Sequence, residues 1–145
     1  MIFQKPPKDF NPRFEIASSF VQYKDEYLFL LRRNEKDEGN KFGIPTGRIE
    51  KGENHLEAML RELKEETGIS TQDNDLLFLG ESFVRFPGIY DFKAYVYHLT
   101  LINKPQVIIN PLEHKNFLWT SKTDALALSL VQDLDNWIKY FIYHK

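Results

Sequence analysis

The segment from Asn54 to Gly68 constrains this chain most. Leu56, Met59, Leu60 and Leu63 recur at i, i+3, i+4 and i+7, one apolar stripe at the helical period. Asn54 is a suitable N-cap, Glu57 stands at the capping-box distance, and Gly68 is a fitting C-terminal stop. The spacing predicts an amphipathic helix that must bury its stripe against another layer. Its other side works against its own stability. Glu62, Glu65 and Glu66 share an arc about 100° wide, centred roughly 120° from the stripe. Like charges at i,i+4 cost about 0.2–0.5 kcal/mol per pair, and carboxylates in a last turn face the negative end of the helix dipole. Ala58, one turn earlier on the same arc, is expected to leave space above them. Two readings stay open on spacing alone. One is a solvated acidic face softened by Arg61 and Lys64; the other is a hard-cation site, since clustered carboxylates are what Mg²⁺ selects.

Around this helix the chain reads as strands. Phe14 to Tyr23 and Glu26 to Leu31 are apolar and β-favouring, and they flank Lys24-Asp25 as a paired unit. Asn34 to Lys41 is polar and predicts a loop. Phe42 to Gly52 holds glycines at 43, 47 and 52 around Pro45, a composition that permits unusual backbone angles. Strands are predicted over Leu76 to Arg85, Tyr90 to Leu101 and Asn116 to Trp119, with Phe86-Pro87-Gly88 as a turn. From about Asp124 to Ile142 the apolar positions 127, 130, 131, 134, 138 and 141 again follow the helical period. The order of strands, helix, strands, helix predicts an α/β (α+β) layered domain. No repeat or linker divides residues 1–145, so a single domain is expected, with 1–12 as an extended, partly ordered lead-in set by Pro6, Pro7 and Pro12.

Composition narrows the chemistry. The 145 residues include no cysteine, which removes disulfide frameworks, thiolate metal sites and cysteine nucleophiles. Lys and Arg number 19 against 21 Asp and Glu, a net charge of −2 that argues against a general nucleic-acid partner. That imbalance lies wholly within residues 47–69, which hold six glutamates and four cations. No stretch approaches the roughly 20 apolar residues of a membrane span, and the start lacks an apolar signal core. A cytoplasmic protein with no membrane partner, monomeric or homodimeric, is expected. His55, His98, His114 and His144 lack metal-ligand spacing and receive no chemistry; Trp119 and Trp137 read as core.

The charged helix acquires meaning from what precedes it. Gly47, Glu53, Arg61, Glu62, Leu63, Glu65, Glu66, Gly68 and Ile69 fill every specified position of G-x5-E-x7-R-E-U-x-E-E-x-G-U, where U is aliphatic. The string resembles the Nudix box. Phe42-Gly43-Ile44-Pro45-Thr46-Gly47 is similar to the family's aromatic-x-x-Pro-Gly-Gly entry, with Phe42 where Trp is common and Thr46 where Gly is usual. Glu113-His114 before Phe117 and Trp119 is similar to the family's late acidic loop and Trp-bearing strand.

The resemblance implies an α/β/α sandwich around a mixed sheet and hydrolysis of a nucleoside diphosphate linked to another group. It implies that Glu62, Glu65 and Glu66, with the Thr46 carbonyl, bind Mg²⁺ or Mn²⁺. Arg61 would orient a catalytic glutamate, and Glu53 would support Arg61. The general base is either Glu62 or Glu113. Arg33, ending the second strand, is expected to face the substrate phosphates, against a plain surface arginine. Phe86 and Tyr90, with Phe92, are candidates to stack on a base, against plain packing. A small-molecule nucleoside triphosphate is the leading substrate; a nucleotide sugar or dinucleoside polyphosphate, or a non-catalytic nucleotide sensor, are the alternatives. An isomerase of isopentenyl diphosphate sharing the fold is rejected, because it needs a cysteine.

Overall fold

The central strand is apolar on both faces, and the layering follows from that. The computed structural model describes residues 1–144. In chain order its elements are β1 (Ile2–Phe3), β2 (Pro12–Tyr23), β3 (Glu26–Arg32), β4 (Phe42–Gly43), β5 (Thr46–Arg48) and α1 (His55–Thr67). They continue as β6 (Leu76–Phe86), β7 (Tyr90–Leu101), β8 (His114–Ser121), α2 (Lys122–Ala125) and α3 (Leu134–Trp137). Along β2, Ile16 and Phe20 enter one hydrophobic cluster while Ala17 and Val21 enter another. In β3 the same period separates Tyr27 and Phe29 from Leu28 and Leu30. Such a sheet needs cover on both sides. Met59 and Leu63 of α1 close one face; Leu134, Trp137, Ile138, Phe141 and Ile142 close the other. The result is the expected α/β/α sandwich.

The sheet is mixed. β2 and β7 run parallel from Pro12↔Asp91 to Tyr23↔Leu101, and the other pairings are antiparallel. β2 shares its second edge between two partners: Gln22 and Tyr23 pair with β3, whereas Ile16, Ala17 and Ser18 pair with β5. This splaying brings β5, which leads into α1, to the middle of the sheet. α1 begins on a full capping box between Asn54 and Glu57 and ends on Gly68 in the left-handed conformation at φ 76°, as expected. Ala58 is fully buried in the core, so it leaves no open space above the glutamates.

Two expectations change. The C-terminal helix is not continuous from Asp124 to Ile142. After α2 the chain runs extended beside β4: the Phe42 N–H donates to Ser129 O at 2.8 Å, and Val131 N–H donates to Phe42 O at 3.0 Å. The apolar residues at 130 and 131 fit the helical count, yet their backbone satisfies the exposed edge of β4 instead. Helical structure resumes at α3 and continues as a π-helical segment, Ile138–Tyr143. The lead-in is also tied down. β1 pairs with Phe83 and Val84, and Arg85 joins Asp9 to Asp91. Among the described residues no helix is long and apolar enough to cross a membrane.

Candidate active site

Arg61 organises the carboxylates around α1. Its guanidinium donates to both oxygens of Glu53, at 2.8 and 2.9 Å, and to Oε1 of Glu62 at 2.6 Å. Longer hydrogen bonds run to Oε2 of Glu65 at 3.4 Å and to the Arg48 carbonyl at 3.0 Å. The Arg61 hydrogen bonds, with one from the Glu50 N–H, hold the Glu53 carboxyl down at about 2. Glu62 lies against Gly47 so closely that a Cβ there would sit 1.9 Å from the Glu62 carboxylate carbon. Burial pushes the Glu62 carboxyl up, opposed by Arg61.

Glu66 is different. It is only 8% exposed, and its Oε1 accepts the Thr46 N–H at 2.7 Å. Burial drives its pKa up to about 8, although the Thr46 bond and Arg32 work against the shift. Its Oε2 faces Nδ1 of His114 at 3.8 Å. His114 is 4% exposed, and burial with the nearby Arg32 charge lowers its pKa to about 4, so the ring is neutral at ordinary pH. Its Nδ1 is buried without a hydrogen-bond partner.

Glu66 and His114 adjoin a cavity of about 200 Å³. Glu66, Thr46, His114 and Arg32 line it together with Phe86, Phe92 and Trp137. Phe86 and Phe92 meet edge to face, with centroids 5.3 Å apart, so they present an aromatic wall. The indole N–H of Trp137 is satisfied by Ser82 Oγ at 3.0 Å, leaving the ring as an apolar surface.

The other expected site residues lie farther out. Glu65 is largely exposed at the end of the Arg61 fan. Glu113 is 44% exposed and pairs with Lys36 at 3.5 Å. Arg33 turns to Glu35 at 2.5 Å and to the Pro111 carbonyl at 3.1 Å, while its neighbour Arg32 lines the cavity. Tyr90 packs against Phe14 and Phe86 and borders a separate depression with Arg13 and Arg85. Arg32 and His114 line the cavity, although neither is given a role by the sequence. The first had a signal: strand alternation groups Arg32, not Arg33, with Leu28 and Leu30.

The donor set suits a hard divalent cation. Glu62, Glu65 and Glu66 offer only carboxylate oxygens. Glu66 in particular is a buried acid whose nearest ring partner is neutral, and a cation would favour its charged form. Among the described residues no three His, Asp or Glu side chains converge at ligating distance, and Arg61 bonds Glu62 and Glu65.

The sandwich, the glutamate-bearing helix and the arginine hub together define one class of protein. The chain belongs to the Nudix family: the NUDIX domain matches residues 14–141. Its curated relatives include the Homo sapiens 8-oxo-dGDP phosphatase NUDT18, 34% identical over 79 residues that span 52% of this chain and 24% of that protein. The Escherichia coli (strain K12) 8-oxo-dGTP diphosphatase is 36% identical over 61 residues, 41% of this chain and 47% of the enzyme. The chain thus spans about a quarter and about half of these relatives. Among solved structures, the MutT protein from Methanosarcina mazei Go1 superposes with a TM-score of 0.77 at 20% identity, covering 92% of this chain and 96% of that one. The E. coli dihydroneopterin triphosphate pyrophosphohydrolase gives 0.71 at 22% identity, covering 94% and 100%. These likenesses share the fold.

Proposed function

We propose that this protein hydrolyses the pyrophosphate linkage of a nucleoside triphosphate, releasing a nucleotide of lower phosphorylation, with a divalent cation held by Glu62, Glu65 and Glu66. The observation that supports the reading most is Glu66, a buried carboxylate at the wall of a base-sized cavity, beside a helix face of further carboxylates. When bound, the cation neutralises phosphate charge and makes water more acidic.

The chain's own groups account for the rest. Arg61 fixes Glu53 and Glu62 in place. Glu62 is the preferred general base over Glu113. It stands in the carboxylate cluster that Arg61 holds in place, whereas Glu113 turns outward to Lys36. Arg32 replaces Arg33 as the cation available to substrate phosphates, since it alone of the two lines the cavity. Phe86, with Phe92, offers a ring surface to a base. The relatives named for 8-oxo-dGDP and 8-oxo-dGTP make oxidised guanine nucleotides the first substrates to try.

The test is a hydrolysis panel of nucleoside triphosphates, 8-oxo-dGTP, nucleotide sugars and dinucleoside polyphosphates, each with Mg²⁺ or Mn²⁺. Triphosphates should be cleaved, and Glu62→Gln and Glu65→Gln should abolish turnover with unchanged circular dichroism. Near-normal rates in both variants, or no cleavage with either metal, would sink the assignment; the latter would favour a nucleotide sensor.

A further inference from the structure

His114 stands in its position because of an irregularity in strand pairing. β3 and β8 pair regularly from Glu26↔Ser121 to Leu31↔Asn116, and then the register shifts so that Arg32 lies opposite His114. Lys115 is the extra residue. Its ammonium reaches outward to Asn34 and Asn40, which anchors the bulge. Bulges re-aim side chains and gather next to active sites. This one gives His114 the register place opposite Arg32 that Lys115 would otherwise hold, and the ring ends beside Glu66.

A buried nitrogen with no partner is costly to folding, so its retention calls for an explanation. A neutral imidazole carries one N–H and one lone pair. The acceptor that faces Nδ1 is Oε2 of Glu66, at 3.8 Å, while the other oxygen of that carboxylate is already fixed by the Thr46 N–H. The separation exceeds a hydrogen bond, and a shift of under about one ångström by either side chain closes it.

We infer that His114 is a positioning residue for Glu66: its Nδ1–H is directed at Oε2, so that Thr46 and His114 fix the two oxygens of a carboxylate that would hold a divalent cation. Carboxylates that bind metals are commonly oriented this way from behind. Arg32, beside both groups, adds positive charge without competing for Nδ1. The inference rests on the divalent-cation reading above.

The experiment titrates Mn²⁺ by calorimetry into metal-free wild type, His114→Ala and His114→Asn, with near-ultraviolet circular dichroism as the fold control. Outer-shell changes weaken metal affinity by about 10–100-fold, and His114→Ala should fall in that range. Asn carries an amide N–H near the place of Nδ1, so His114→Asn should restore most of the affinity. ¹⁵N NMR of the wild-type imidazole in the Mg²⁺-loaded protein, where Glu66 is a carboxylate, should give the Nδ1–H tautomer, which decides the matter if the Ala variant does not fold. A folded Ala variant that binds Mn²⁺ as wild type does, an Asn variant no better than Ala, or an Nε2–H tautomer would each overturn the role of His114 alone. A wild-type chain that binds no Mn²⁺ overturns the cation reading and this inference with it.

Discussion

At the scale of single residues, contact distance separates the glycines of the box. Gly47 has no room for a methyl group, because Glu62 occupies the space where a Cβ would project. Gly47→Ala would therefore move Glu62 rather than the backbone. Misplacing a catalytic group by about an ångström lowers rate by about 100-fold. The variant should keep its melting temperature and lose kcat/KM on that scale, measured on whichever triphosphate the panel selects. A normal rate would mean that the position of Glu62 does not matter. The charged box and its arginine hub were legible because both lie on one helix and its approach. His114 was not, since its place depends on a bulge between strands that no local spacing encodes. Arg32 was legible in principle, from the two-residue period of β3.

At the scale of elements, α1 survives its unfavourable charge by its ends and its buried face. The Asn54 side chain accepts the Glu57 N–H at 2.8 Å, and Glu57 returns a bond to the Asn54 N–H at 3.0 Å. Asn54→Ala should lower unfolding free energy by about 1 kcal/mol. Gly68→Ala should do at least as much, since a left-handed residue with a Cβ costs about 1–2 kcal/mol and the new methyl would crowd Ile108 at 3.3 Å. Urea unfolding measures both, and a neutral Gly68→Ala would contradict the left-handed cap. Long periodic elements were readable for the same reason: α1, β6 and β7 came close to their observed bounds. The short strands β1, β4 and β5 exist only through their partners, so nothing local announces them. The C-terminal helix failed in its middle because backbone pairing with Phe42 outweighed a helical count of apolar residues.

At the scale of the whole molecule, the acidic site is a burden that a cation relieves. In the folded chain Glu66 holds its proton up to about pH 8, well above an unfolded carboxyl. At Glu66 the folded state then binds more protons than the unfolded one between those values; the neutral His114 offsets this below about 6.5, so stability falls chiefly as pH rises from about 6.5 to 8. Glu53, held at about 2, acts with the opposite sign: its contribution is present above the unfolded carboxylate value and fades as pH drops toward 2. With a chelator present, melting should be lower at about pH 8 than at about pH 5.5, and added Mg²⁺ or Mn²⁺ should raise it most at the higher pH. Chelated protein that melts higher at pH 8 would show that Glu66 is not strained. The parallel seam between β2 and β7 has a consequence of another kind, in time. The strand at the heart of the sheet leaves the ribosome well before β7, and Ser18 must wait for Val96 to find its neighbour. Until β7 emerges, one edge of β2 stays open, and closing so distant a contact is intrinsically slow. Newly made chains should thus be most prone to aggregate in the interval before β7 is synthesised.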